Sequence, residues 1–146
     1  MIVFARELLC ECVQEAQPLL LAHHEEMEPG FPLDPDYEQY ALLEKLGRFA
    51  VFTGRDDGKL VSYSAFHLIR HLQSKGFAQA VNDLFYLTPE VRRGITALRF
   101  LRYCEDALKT EGAQQVLYFC SPHNNLAPIL HRLGYADAQT MVAKML

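Results

Sequence analysis

A pattern typical of anion binding lies where a strand-like run meets a helical one. The apolar run at residues 81–87 is followed by Arg92, Arg93 and Gly94, and a helical pattern begins at once. A helix N-terminus offers free backbone N–H groups and the positive end of the helix dipole. Glycine lets a ligand approach the backbone, and guanidinium groups add donors shaped for phosphate. The pattern predicts a phosphate or pyrophosphate site. The alternative is two solvated arginines beside a turn glycine.

A carboxylate lies inside the apolar run. Asp83 alternates with Val81, Phe85 and Leu87, so all four are predicted to share one face of a strand. A carboxylate among apolar residues could serve as a general base. It could equally be a structural hydrogen-bond acceptor, and both interpretations stay open.

Metal-ligand residue types crowd the end of the first helical pattern, at His23, His24, Glu25, Glu26 and Glu28. Imidazole and carboxylate groups bind divalent metals. Adjacent helical residues point in different directions, however, and a polar helix end needs no metal. We therefore predict a solvated helix end and no metal site.

Apolar periodicity predicts the elements that position these residues. The predicted strands are at 1–4, 48–54, 59–71, 77–87, 114–121 and 141–146. The predicted helices are at 6–27, 35–46, 95–110 and 124–134. Pro18 is expected to kink or split the first helix. Asp34 is expected to cap the second helix, and Gly47 to end it.

The order of the elements predicts a fold class. Antiparallel hairpins come first and a βαβ unit comes late, which indicates an α/β fold with a mixed, mainly antiparallel central sheet flanked by helices. The right-handed crossover rule places the strand around Val116 beside the strand around Leu84 and parallel to it. The run at 114–121 is apolar enough to be buried on both faces.

Composition narrows the classes of function. The 146 residues, half of them hydrophobic, suit one domain over 1–146. With 14 basic and 18 acidic residues the formal net charge is −4, which disfavours general nucleic-acid binding. No apolar run is long enough to span a membrane. The first residues lack the pattern of a secretory signal, and the four cysteines lack paired spacing, so we expect a cytoplasmic protein.

Two segments carry a family resemblance. The run from Leu84 to Phe119 resembles the central region of the GCN5-related N-acetyltransferases. The run "NNLAPILHRLGY", 124–135, resembles their following Asn-x-x-Ala helix and Leu-Gly-Tyr ending. The family's loop pattern is Gln/Arg-x-x-Gly-x-Gly/Ala. Counted from Arg92, Ala97 fits its last position, but Ile95 stands at the middle glycine.

The resemblance implies a single acetyltransferase-like domain that binds acetyl-CoA and transfers its acetyl group to an amine. It implies that the backbone of Phe85 and Leu87 pairs with the pantetheine arm and that Asn124 contacts the CoA. The implied pyrophosphate loop consists of Arg92, Arg93, Gly94, Ile95, Thr96 and Ala97.

The resemblance leaves the catalytic groups less defined. The family often uses a tyrosine of the late helix as the acid, and here Leu130 and His131 occupy the two possible positions. His131 could donate a proton, or it could be a surface histidine. Asp83 is the candidate base. Tyr37 and Tyr40 could line the acceptor pocket or pack as a helix face, and the acidic groups near the first helix would suit a cationic amine.

We therefore expect an N-acetyltransferase that acts by direct transfer on an unidentified amine. One alternative is a catalytically inactive CoA-binding module with a regulatory or interaction role. Another is a metal-binding or scaffolding protein that shares only the fold. An exposed sheet edge could support a homodimer.

Overall fold

A computed structural model describes residues 1–123 and 125–146, which form five strands and four α-helices. They are β1 (Ile2–Glu7), α1 (Leu9–Met27), α2 (Tyr37–Lys45), β2 (Phe49–Asp56), β3 (Lys59–Arg70), β4 (Ala78–Leu87), α3 (Thr96–Thr110), β5 (Gln115–Leu117) and α4 (Ala127–Arg132). A single 3₁₀ turn at Pro89–Val91 precedes α3. None of the helices in the described ranges is both long and apolar enough to cross a bilayer.

The strands form one sheet in the order β1-β2-β3-β4-β5. The first four strands pair antiparallel, and β5 pairs parallel with β4. The mixed, mainly antiparallel sheet predicted from the sequence is therefore confirmed. The β2–β3 hairpin turns through Asp57 and Gly58, both at positive φ, as a two-residue turn of type I′ requires.

Helices cover both faces of the sheet. On β2, Phe49 and Val51 pack with Cys12 of α1 on one face. Phe52 packs with Phe100 of α3 on the other face, because successive side chains of a strand point in opposite directions. The central strands are consequently apolar on both sides and occupy the middle of the molecule.

The first helices differ from the prediction at two points. Pro18 does not split α1, which continues for 19 residues, so of the two predicted effects only the kink stays a prediction. The buried residues Cys12 and Ala16 hold this helix against the sheet, and tertiary packing of this kind supplies most of a helix's stability. The cap of α2 is Asp36 rather than Asp34, since its side chain accepts a hydrogen bond from Gln39 N at 2.9 Å.

The last two predicted strands also differ from the structure. β5 covers only Gln115–Leu117 and is half-exposed, where a strand buried on both faces was expected over 114–121. Residues 141–146 form no strand, and their large apolar side chains are exposed. The apolar composition of these two segments predicted more strand than forms, because strand formation depends on a neighbouring strand as much as on residue type.

Candidate functional site

A β-bulge in β4 sets the position of Asp83. Leu84 lies opposite Ala65 and Asn82 opposite Phe66, so Asp83 is the extra residue on its strand. Beyond the bulge, Phe85 and Leu87 enter the core beneath α3, whereas Asp83 contacts α2 on the opposite face. The predicted alternation of Asp83 with Phe85 and Leu87 is therefore wrong.

The sheet opens next to this bulge. The pairing of β4 with β5 ends at Val81 and Leu117. Further along, Thr88 N donates to Val61 O at 2.9 Å, so by antiparallel alternation Phe85 and Leu87 direct their backbone groups away from β3. These groups border the gap between β4 and β5, and their contact with a pantetheine arm stays a prediction.

The N-terminus of α3 lies at the far end of the same strand. Gly94 adopts a φ of +70°, and Ile95 at the N-cap makes no side-chain capping bond. Arg93, Gly94 and Ile95 are exposed, and Thr96 and Ala97 begin the helix. The first turn therefore presents backbone donors that no side chain of its own N-cap satisfies.

Arg92 is directed elsewhere. Its Nη2 lies 2.6 Å from Glu26 Oε1, and its Nε donates to the carbonyl oxygen of Leu87 at 2.8 Å. The guanidinium carbon also lies 5.2 Å from the centre of the Tyr86 ring. The Arg92 side chain thus connects α1 to the end of β4. Because its guanidinium is already paired with Glu26, Arg92 and Arg93 do not form a joint cationic site for an anion.

A cavity of about 680 Å³ lies between α1, α2 and the sheet. Its walls include the segment between the two helices and the facing sides of β2, β3 and β4. Phe85, Phe119 and Leu126 also line it, so the cavity extends to the gap between β4 and β5. Tyr37 and Tyr40, two of the residues predicted for an acceptor pocket, line it as well.

The carboxylate of Asp83 lines this cavity and has two polar neighbours. Tyr40 donates its hydroxyl to Asp83 Oδ2 at 2.9 Å, and His67 Nε2 lies 3.6 Å from Asp83 Oδ1. Burial and the Asp83 carboxylate raise the pKa of Tyr40, so its hydroxyl stays protonated. Because the Asp83 side chain is 26% exposed, its remaining lone pairs can accept a proton from a ligand.

A buried histidine forms part of the cavity wall. His23 is 6% exposed, and its Nδ1 shares a 2.9 Å hydrogen bond with the hydroxyl of Tyr63. Its ring also stacks on Tyr86 at 5.0 Å between centroids. Burial lowers the pKa of His23 to about 4, so the ring is neutral near pH 7.

For His23 the prediction of a solvated helix end is wrong, because this residue is buried. Helical spacing from Cys12 and Ala16 was the signal that could have indicated its burial. In the described ranges, no group of three or more His, Cys, Asp or Glu side chains is arranged to hold a metal ion.

The structure does not bring the two predicted catalytic residues together. His131 is exposed on α4, and its Nε2 lies 2.9 Å from Asp137 Oδ1. It is not among the residues that line the cavity around Asp83. Leu130, the other candidate position for an acid, is buried in the core. Asn124, predicted to contact the CoA, lies outside the described residues.

Several solved structures with the same fold are acetyltransferases. A predicted acetyltransferase from Clostridium acetobutylicum, solved with acetyl-CoA, is 11% identical over 99% of this chain and 96% of its own, with a TM-score of 0.75. Ribosomal-protein-alanine N-acetyltransferase from Brucella melitensis biovar Abortus is 15% identical over 99% of this chain and 98% of its own, with a TM-score of 0.76. An aminoglycoside acetyltransferase from an uncultured soil metagenomic sample, in complex with sisomicin, is 15% identical over 99% and 94%, with a TM-score of 0.73.

No protein-family model matches the chain, and no curated protein sequence does. At sequence identities of 11% to 15%, these matches show that the proteins share a fold and nothing further. The chain has the fold of the GCN5-related N-acetyltransferases, as the resemblance in its sequence predicted.

Proposed function

We propose that this chain is an acetyl-CoA-dependent N-acetyltransferase that moves the acetyl group directly to an amine. One observation carries the proposal. The cavity that contains the Asp83 carboxylate reaches Phe85 of β4, beyond the point where β5 stops pairing, and the same strand leads on to the N-terminus of α3, where no side chain of the N-cap makes a capping bond. A cofactor with a phosphorylated end and a reactive thioester end matches this arrangement.

The cofactor is assigned to the gap and to the helix terminus. The pantetheine arm pairs with the backbone of Phe85 and with the N–H of Leu87, since the carbonyl oxygen of Leu87 already accepts from Arg92 Nε. The pyrophosphate accepts hydrogen bonds from backbone N–H groups between Gly94 and Ala97, and Arg93 adds a positive charge. Arg92 is not assigned to the pyrophosphate, because Glu26 and Leu87 engage its side chain and its backbone N–H donates to the carbonyl oxygen of Pro89 at 3.4 Å.

Asp83 is assigned the role of base. An ammonium group must lose a proton before its nitrogen can attack, and the Asp83 carboxylate accepts that proton and passes it to solvent. The nitrogen then forms a bond to the thioester carbonyl carbon as the carbon–sulfur bond breaks. The departing sulfur takes up the second proton of the amine, which balances the reaction. His131 has no part in this scheme, because it lies outside the cavity lining.

A catalytically inactive CoA-binding module is the second candidate. The buried Leu130 favours it, since this is one of the two positions at which the resembling family often places an acidic tyrosine. Release of free thiol from acetyl-CoA in the presence of amines distinguishes the two functions, because only the enzyme produces it.

Calorimetric titration of acetyl-CoA tests the cofactor site through a matched pair of variants at Gly94. Asn and Asp have the same shape and both tolerate positive φ, but only Asp adds a negative charge beside the pyrophosphate. We expect Gly94→Asp to raise the dissociation constant at least about tenfold and Gly94→Asn to raise it less than about threefold. If the folded wild-type protein binds no acetyl-CoA, the proposed function is wrong.

A further inference from the structure

The cavity beneath α1 and α2 carries acidic but no strongly basic side chains. Asp34, Asp36 and Asp83 line it, and within 1–123 and 125–146 no lysine or arginine does. Of its three histidines, His23 is buried, His24 Nε2 lies 2.8 Å from the carbonyl oxygen of Phe31, and His67 Nε2 lies 3.6 Å from Asp83 Oδ1. A phosphate or carboxylate group on a ligand would find no guanidinium or ammonium partner here, whereas an ammonium group would find a carboxylate.

Most polar groups in the cavity wall already have partners within the protein. The hydroxyl of Tyr63 shares a hydrogen bond with His23. The Nδ2 of Asn82 donates to Ser64 Oγ and to two backbone carbonyl oxygens. A ligand with many hydroxyl groups would therefore leave several of them buried without partners, which costs free energy for each.

The rest of the wall is apolar and partly aromatic. It includes Val13 and Leu20 of α1, Leu43 of α2, and the rings of Tyr37, Phe49 and Phe119. Rings of this kind favour an aromatic ligand, because offset and edge-to-face contacts add to the burial of apolar area. The volume of about 680 Å³ lies in the range of sites for small molecules.

We infer that the acceptor is a small arylalkylamine. Its ring lies among the apolar walls between α1 and α2, and its amino group lies at Asp83, beside the gap between β4 and β5. The inference rests on the proposed function, since it names the substrate of the same site. It predicts that polyhydroxylated and phosphorylated amines are poor acceptors for this chain.

The first test measures binding of 2-phenylethylamine by ligand-observed NMR without acetyl-CoA, so that it does not depend on cofactor binding. Leu20→Gln places an amide in the cavity wall, and Leu21→Gln makes the same change at the exposed neighbouring position. We expect Leu20→Gln to weaken binding about five- to tenfold and Leu21→Gln to leave it unchanged within about twofold. Near-UV circular dichroism verifies that both variants are folded.

The second test compares acceptors in a thiol-release assay with 2-phenylethylamine, glucosamine 6-phosphate and sisomicin. We expect kcat/KM for 2-phenylethylamine to exceed the other two by about tenfold or more, and Leu20→Gln to raise its KM with little change in kcat. Preference for either of the other amines, or equal effects of the two glutamine variants, overturns the inference and leaves the proposed function in place. A failure of the protein to bind acetyl-CoA contradicts the proposed function, and the NMR result then still decides whether the cavity takes an arylalkylamine.

Discussion

Asp83 illustrates how one extra residue in a strand can change which side chains meet. Without the bulge, strand alternation would place its carboxylate with Phe85 and Leu87 against α3. The bulge instead directs it to the opposite face, where Tyr40 donates a hydrogen bond to it and His67 Nε2 lies 3.6 Å away. Bulges commonly re-aim a side chain next to an active site.

Replacement of Asp83 by Asn tests its proposed role as a base. The amide has the same shape but accepts no proton, so we expect kcat for the acceptor amine to fall about 10²-fold or more. Acetyl-CoA affinity measured by calorimetry should not change, since Asp83 is not assigned to the cofactor. If Asp83→Asn retains kcat within about threefold, Asp83 is instead a structural hydrogen-bond acceptor.

The buried imidazole of His23 makes stability depend on pH. Its pKa falls from the ordinary 6.5 to about 4 in the folded protein, so below pH 6.5 the unfolded chain binds a proton that the folded chain does not. The stabilisation is complete above pH 6.5 and is lost as the pH falls towards 4. We expect this group to lower the free energy of unfolding by roughly 2 to 3 kcal/mol between pH 7 and pH 4.5.

Urea denaturation of the wild-type protein and of His23→Gln at the two pH values measures this contribution. Glutamine can still hydrogen-bond the Tyr63 hydroxyl but does not titrate, and the carboxylates titrate alike in both proteins. The wild-type protein should therefore lose more stability than the variant. Equal losses would show that His23 is accessible to protons in the folded state.

At the level of the elements, three strands meet closely in one row of the sheet. Gly54 of β2 lies opposite Phe4 of β1 and Ser62 of β3. A Cβ atom at Gly54 would overlap Ser62 Oγ and would lie 3.0 Å from the Phe4 ring. The Ser62 hydroxyl is fully buried and has no hydrogen-bond partner among the described residues. Glycine is needed here for close packing rather than for its backbone conformation.

A double-mutant cycle tests this packing. Gly54→Ala should lower the free energy of unfolding by about 1 to 3 kcal/mol, because overpacking forces neighbouring atoms to shift. Ser62→Ala removes the overlapping oxygen, so the same Gly54→Ala change should cost about 1 kcal/mol less in that background. Urea denaturation of the four proteins gives the coupling energy, and a value near zero would mean that the Phe4 ring alone limits the space.

At the level of the whole molecule, the exposed segment at residues 141–146 contributes little to the fold of one chain. Met141, Val142, Met145 and Leu146 are each at least 66% exposed. We expect removal of these six residues to leave the midpoint of thermal unfolding unchanged within about 2 °C, as for other surface changes. A larger fall that depends on protein concentration would show that the segment packs against a second copy.

Local pattern was sufficient for most of the fold and for part of the candidate site. Apolar periodicity predicted β2, β3 and β4 as strands and α3 as a helix, and α3 buries Phe100, Leu101, Cys104 and Leu108. Gly47 ends α2 as expected, and Gly112 follows α3, both at positive φ. These features depend on residues close in sequence, so the sequence by itself determined them and, through the crossover rule, the parallel placement of β5.

Tertiary structure alone decided the chemistry of the site. Arg92 meets Glu26, which lies 66 positions away in the chain, and Tyr40 meets Asp83 across 43 positions. No local period encodes such pairs, because they arise when separate elements pack on one sheet. The bulge at Asp83 depends on how β4 aligns with β3, and the short β5 depends on where β4 diverges from it. Residue spacing therefore predicted where a cofactor could bind, whereas the packing of α1 and α2 on the sheet set the shape and charge of the cavity beside it.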